Sequence, residues 1–175
     1  DTNKDGTGQG KIYTEDSYVE DKYDTVAISV NSGACFIMES GLIDTATYIS
    51  DNNKNGQFAV GLNDGSATSD ANVIINGGHI KAGWYAIAGN GGCVSADHNI
   101  TVNGGILESV ADYAIYHPQR GTTIINDGIV YGLAGGVAIK SGNLVVNGGT
   151  ITSKGVGSTG TWGDGTGNLA NAAVN

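Results

Sequence analysis

One phrase constrains this chain more than any other. "NVIINGGHIKA" (72–82), "NITVNGGILES" (99–109), "TTIINDGIVYG" (122–132) and "NLVVNGGTITS" (143–153) are near-copies, and "CFIMESGLIDT" (35–45) keeps their apolar pattern. Self-similarity at intervals of about 20–37 residues is the mark of a solenoid, in which each repeat buries its apolar side only by stacking on its neighbours.

The second glycine of each phrase serves as an anchor: Gly41, Gly78, Gly105, Gly128 and Gly149. Three positions upstream stand Met38, Ile75, Val102, Ile125 and Val146, and five upstream Phe36, Val73, Ile100, Thr123 and Leu144. Two positions downstream stand Ile43, Ile80, Leu107, Val130 and Ile151. Apolar residues two apart, interrupted at Asn-Gly, describe two short strands around a sharp corner. Asn76, Asn103, Asn126 and Asn147, with Glu39 in the first phrase, form a column just before the anchor. Asparagine tolerates the left-handed corner, glycine relieves its crowding, and stacked amides can hydrogen-bond into a ladder.

A second phrase fills the rest of each repeat: "TVAIS" (25–29), "FAVG" (58–61), "YAIAG" (85–89), "YAIYH" (113–117) and "VAIKS" (137–141). Its flanking residues (Val26 and Ile28, Phe58 and Val60, Tyr85 and Ile87, Tyr113 and Ile115, Val137 and Ile139) are expected inside. The central alanines Ala27, Ala59, Ala86, Ala114 and Ala138 are expected outside, as a smooth shelf for a ligand, for another chain or for the protein's own loops. The expected fold is a right-handed parallel β-helix of about five three-strand coils with an asparagine ladder, spanning residues 24–155. Residues 1–23 form a polar N-terminal segment or cap, and 156–175 a glycine-rich loop leading to a possible extra strand.

These phrases resemble the right-handed parallel β-helices of the pectate-lyase superfamily. More narrowly, they resemble glycine-rich "NGGTI"-repeat surface proteins of Gram-positive gut and cellulolytic bacteria. That resemblance implies an extracellular or cell-surface module, with some relatives binding acidic plant polysaccharide through calcium sites.

Composition narrows the function classes. Thirty glycines and one proline fit a fold that turns often, and 39% apolar residues with eight tyrosines argue against disorder. A formal charge of −9 with one arginine leaves no positive stripe for nucleic acid or anionic membranes. No apolar run approaches the roughly 18 residues of a membrane span. The abrupt start at Asp1 and end at Asn175 fit a trimmed extracellular piece. Cys35 and Cys93 take comparable positions two coils apart, about 9–10 Å on the strand spacing, beyond disulfide reach, and read as buried free thiols.

Chemistry is expected in the loops. "DTNKDG" sets Asp1, Asn3 and Asp5, and "DNNKNG" sets Asp51, Asn53 and Asn55, at the spacing of half a calcium loop. The twelfth positions are Ile12 and Leu62 rather than a carboxylate, so Ca2+ competes with an ordinary Asx-rich turn. Trp84, Tyr116, His117, Arg120 and Lys140 are the candidate ligand-binding residues, their rings and polar groups suited to sugar. "DYAIYHPQR" (112–120) holds the residue types of a lyase but lacks a second carboxylate at acid–base spacing. The alternative is a packed corner fixed by Pro118. His79 and His98 read as lone surface histidines, without a second ligand at metal spacing.

The function expected from these readings is non-enzymatic: an extracellular β-helix module that binds polysaccharide or serves as an adhesin or stalk segment. A self-assembling structural protein (fibre, trimeric spike or virion appendage), which implies a homo-oligomer, is the first alternative and a polysaccharide lyase the second. The partners are polysaccharide or neighbouring protein chains, with no nucleic acid and no membrane insertion.

Overall fold

The computed structural model of the chain describes residues 10–13, 26–46, 58–62, 65–89, 91, 94–155 and 173–174. A lone strand, β1 (Lys11–Tyr13), precedes five coils of three strands each. Coil one is β2 (Val26–Ser29), β3 (Cys35–Met38) and β4 (Leu42–Asp44); coil two is β5 (Phe58–Leu62), β6 (Ala71–Ile75) and β7 (His79–Ala82). Coil three is β8 (Ile87–Gly89), β9 (His98–Val102) and β10 (Ile106–Ser109). Coil four is β11 (Tyr113–His117), β12 (Thr122–Ile125) and β13 (Ile129–Gly132), and coil five is β14 (Gly135–Ile139), β15 (Asn143–Val146) and β16 (Thr150–Ser153).

Like strands stack on like. Sheet A runs β1-β4-β7-β10-β13-β16, sheet B β2-β5-β8-β11-β14 and sheet C β3-β6-β9-β12-β15, and every pairing is parallel. The fold is the right-handed parallel β-helix. Lys11–Tyr13, within the N-terminal segment, join the stack through β4, and Val174 bridges Val137 in parallel at the far end.

The rows read from the repeated phrase are the rows of the structure. Phe36, Val73, Ile100, Thr123 and Leu144 are in register in sheet C, as are Met38, Ile75, Val102, Ile125 and Val146. Ile43, Ile80, Leu107, Val130 and Ile151 are in register in sheet A, with Ile12 below them. In the middle coils these side chains are fully buried; Ile75, Ile80, Ile100, Leu107 and Ile125 all have 0% exposure. At about 25 cal/mol per Å2 of apolar area removed from water, such rows are the main force holding coil to coil.

The corner between sheets C and A explains the glycine. All five anchor glycines have φ between +81° and +103°, where a β-carbon is strained. Space forbids one too: a β-carbon on Gly128 would lie 2.8 Å from the Gly105 carbonyl oxygen below it. That carbonyl accepts the Ile129 amide at 2.9 Å, and the Gly128 carbonyl accepts the Thr150 amide at 2.8 Å, so the ladder of backbone bonds continues through the corner. Beside it runs the side-chain ladder. Asn76 Nδ2 donates to Glu39 Oε1 (2.8 Å), Asn103 to Asn76 (2.8 Å), Asn126 to Asn103 (2.7 Å) and Asn147 to Asn126 (2.7 Å). Asn103, Asn126 and Asn147 are exposed, so this ladder lies on the outside of the stack.

Sheet B departs from expectation. Ala59, Ala86 and Ala114 are fully buried in the same core cluster as Val60, Ile87 and Ile115. Two consecutive residues share the interior only where a strand bends, and the inside of that bend has room for a methyl group. Phe58, Tyr85 and Tyr113 therefore leave the main core and form a second cluster with Ala88 and Ala138. Coil five is also offset by two residues: Val137 pairs with Ile115 and Ala138 with Tyr116, which places Gly136 beside the alanines. The expected alanine shelf is thus interior, and Ala138 belongs to a different row.

Candidate functional site

The outer side of sheet B carries the densest cluster of aromatic rings. Trp84 and Tyr85 stack at 4.7 Å and 22°, and Tyr85 and Tyr116 at 5.1 Å and 18°. Phe58 meets Trp84 and Tyr85 at tilted angles, with centroids 5.4 and 5.2 Å away. Beyond Tyr116 the Lys140 ammonium lies 5.7 Å from the ring centroid. Coils two to five each contribute to this line: Phe58 from β5, Trp84 and Tyr85 from just before β8, Tyr116 from β11 and Lys140 from just after β14. Small residues at Gly61, Ala88 and Ala138, in the Tyr116 row, leave room for the rings.

Asp112 organises one edge of the cluster. Its Oδ2 accepts the Trp84 indole N–H at 2.6 Å and the Tyr85 hydroxyl at 3.3 Å, and its Oδ1 accepts the Tyr113 amide at 2.8 Å. Ser109 Oγ accepts the Asp112 amide at 2.8 Å and donates to the Trp84 carbonyl. Burial raises the Asp112 pKa above its ordinary 3.8, and the donors from Trp84, Tyr113 and Tyr85 offset part of that rise. The parts of the cluster that reach solvent are the half-buried Trp84 and Tyr116 with the exposed Lys140; Phe58 and Tyr85 are 6% and 3% exposed. Such an arrangement offers ring edges, an ammonium and an anchored carboxylate to a polar, ring-bearing ligand.

The structure separates the other expected residues. His117 is fully buried on the inner side of β11, its Nδ1 2.8 Å from Thr123 Oγ1, so it cannot meet an external ligand. Burial and, less strongly, neighbouring His98 lower its pKa to about 4. Arg120 lies at another corner, where Nε donates to Asp97 Oδ1 at 2.7 Å and Nη1 to the Val94 carbonyl at 3.3 Å. Gln119, just past Pro118, is 1% exposed; it enters space that a side chain on Gly89 would fill, and its Nε2 donates to the Leu62 carbonyl at 3.0 Å. The "DYAIYHPQR" stretch is therefore a packed corner: Asp112 serves the aromatic cluster, His117 and Gln119 the core, and Arg120 an ion pair.

Two further expectations are corrected, those for His98 and Cys35. His98 opens β9 and is fully buried, because it takes an inward position in register with Ala71. His79 is on sheet A, with Nε2 3.0 Å from Glu108 Oε2. Cys35 is a free thiol but exposed, at an outward position opposite Asn72. Cys93 and the calcium candidates Asp1, Asn3, Asp5, Asp51, Asn53 and Asn55 lie outside the described residues. Among the described residues, no three His, Cys, Asp or Glu side chains are placed to share a metal ion.

Sequence reasoning missed Phe58, Tyr85 and Asp112 as parts of one cluster. The available signal was the hydroxyl of Tyr85 and Tyr113, since a buried phenol needs a partner that an aliphatic interior does not supply. A second amide pair, Asn99 Nδ2 donating to Asn72 Oδ1 at 3.2 Å, also escaped notice; Asn99 Oδ1 in turn accepts the Thr122 amide at 3.0 Å. Comparisons with protein-family models, with curated proteins and with solved structures return no match for this chain.

Proposed function

We propose that the protein is a non-enzymatic, extracellular β-helix module that binds polysaccharide on the outer side of sheet B. The observation that carries this reading is the aromatic line of Trp84, Tyr85 and Tyr116, with Lys140 at one end and Asp112 along its edge. Rings with anchored polar partners are what a sugar needs: apolar contact for its C–H faces and hydrogen bonds for its hydroxyls. The resemblance of the repeated phrases to "NGGTI"-repeat surface proteins supports the same reading and its bacterial cell-surface setting. A lyase reading is disfavoured by the dispersal of Asp112, His117 and Arg120 to an outer cluster, the core and a separate corner.

The test is a glycan-array screen in calcium, repeated in EDTA. Binding that Trp84→Ala and Lys140→Ala each weaken at least tenfold, with the fold intact by circular dichroism, is the expected result. Loss of binding in EDTA would add a Ca2+ requirement. Silence in both buffers overturns the proposal.

A second reading, end-to-end assembly of copies, is favoured by the two ends of the stack. Ile12 registers on buried Ile43 and Val146 on buried Ile125, yet Ile12 and Val146 are 45% and 51% exposed. Assembly predicts concentration-dependent oligomers on a sizing column.

A further inference from the structure

The apolar interior of the stack is interrupted at one level. Among the described residues, the buried polar side chains are Thr45, Ser109 and a group of four: His98 of β9, His117 of β11, Gln119 of the next corner and Thr123 of β12. His98, His117 and Thr123 are 0% exposed and Gln119 1%. His117 Nδ1 is bonded to Thr123 at 2.8 Å, and the backbone at Arg120 and His98 also reaches its ring. His98 belongs to coil three and His117 to coil four, so the two imidazoles straddle one coil junction.

We propose that this level is an acid-opened seam: when an imidazole of the His98–His117 pair takes a proton, the junction between coils three and four parts while coils one and two keep their stacking.

His117 is enclosed on every side by neutral groups or by another imidazole. Thr123 faces it from β12, His98 from β9, the Arg120 backbone from the corner, and Ile139 of β14 is in register above it. None of these supplies a negative charge, and no carboxylate is among the fully buried side chains of the described residues; Asp112, partly buried just before β11, is bonded to Trp84 and Tyr85 in the outer cluster. The nearest ion pair on that corner, Arg120–Asp97, is at the surface, with side chains 54% and 40% exposed. A proton on His117 therefore places an uncompensated charge in an apolar interior, and one on His98 as well adds repulsion. Relief comes from water entering between the coils. Each coil touches only its neighbours, so opening at one junction need not spread.

The direction with pH follows from linkage. The His117 pKa falls from an ordinary 6.5 to about 4, mainly through burial, with the backbone at Arg120 and His98 opposing part of the fall. The closed junction is therefore fully stable above pH 6.5 and loses stability as pH falls toward 4, where the loss levels off. For a shift of this size the opening equilibrium rises about 300-fold in full, a limit reached below pH 4, with about half of that rise present at pH 4. This inference goes beyond polysaccharide binding and does not depend on it.

Hydrogen exchange on the whole chain tests it. Between pH 7 and pH 4, after correction for intrinsic rates, β9, β11 and β12 are expected to lose protection on the order of 100-fold or more. The early-coil strands β4 and β7 are expected to change much less, and His117→Gln, which keeps a polar partner for Thr123 but cannot titrate, to remove most of the difference. Uniform loss along the chain, or a His117→Gln protein as acid-sensitive as the parent, overturns the proposal. If His117→Gln does not fold, the histidine ring signals of the unaltered protein decide: a His117 titrating near 6.5 overturns the seam, and one held neutral well below that supports it.

Discussion

Replacing Gly128 by alanine separates two reasons for the glycine column. One is conformational: φ is +103° at Gly128, and an L-residue in the left-handed region costs about 1–2 kcal/mol. The other is contact. A β-carbon at Gly128 would sit 2.8 Å from the Gly105 carbonyl oxygen and 3.0 Å from the Gly104 carbonyl carbon, both backbone atoms held by the coil below. Overpacking of that kind adds about 1–3 kcal/mol. Gly33 supplies the control: its φ is +76°, but a β-carbon there meets only the Ser69 side chain, at 3.7 Å. Gly33→Ala should therefore cost about 1–2 kcal/mol, and Gly128→Ala about 3 kcal/mol or more. Urea denaturation followed by circular dichroism measures both, with unchanged m-values confirming a common transition. Equal losses would mean that the coils dilate at the corner at no cost, and the contact explanation would be wrong.

Other substitutions probe the rest of the molecule. Asn126→Ala removes two ladder bonds on an exposed edge, those to Asn103 and from Asn147, and should lower stability by only about 1 kcal/mol. Gln119→Ala leaves the Leu62 carbonyl without its 3.0 Å donor and opens a cavity, for a loss of about 2–4 kcal/mol in the same assay. Asp112 has a raised pKa, so the stability it contributes is full below pH 3.8 and is lost as pH rises through the folded value; thermal melting should show this pH dependence shrink in Asp112→Asn, which cannot titrate but turns an NH2 toward one of the donors that Asp112 now accepts. The Tyr131 phenol is pushed up to about 12 by burial and by Glu108, so ultraviolet titration should show a late tyrosine that Tyr131→Phe removes, and Glu108→Gln should bring it earlier.

The repeated Asn-Gly phrase made three rows of core residues legible, from Phe36 to Leu144, Met38 to Val146 and Ile43 to Ile151. Strict two-residue alternation beside a fixed corner leaves one register. The "YAI" phrase did not yield to the same logic, because the bend at Ala59, Ala86 and Ala114 puts two neighbours inside and breaks the alternation. In coil five Gly135 and Gly136 replace the aromatic–alanine pair, so matching letters misplaced Val137 and Ala138 by two residues. At the candidate site, the rings of Trp84 and Tyr116 and the charge of Lys140 were legible, but their placement was not: Ala138, and not Lys140, is in register with Tyr116. The inward turn of His117 and the carboxylate–indole bond of Asp112 depend on which face a strand presents at its ends, and local sequence does not encode that.

The spacing of the ladder residues from Glu39 to Asn147, 37, 27, 23 and 21 along the chain, makes the solenoid a modular object. What must stay constant is the short path through the glycine corner; everything added in the longer turns is cargo hung from the other corners. The 21-residue interval between Asn126 and Asn147 thus approaches a minimal cassette. Copying it in tandem would lengthen the rod by about 4.8 Å per copy without altering its cross-section. The longer early turns mark where foreign segments could be inserted while the stack beneath keeps its register.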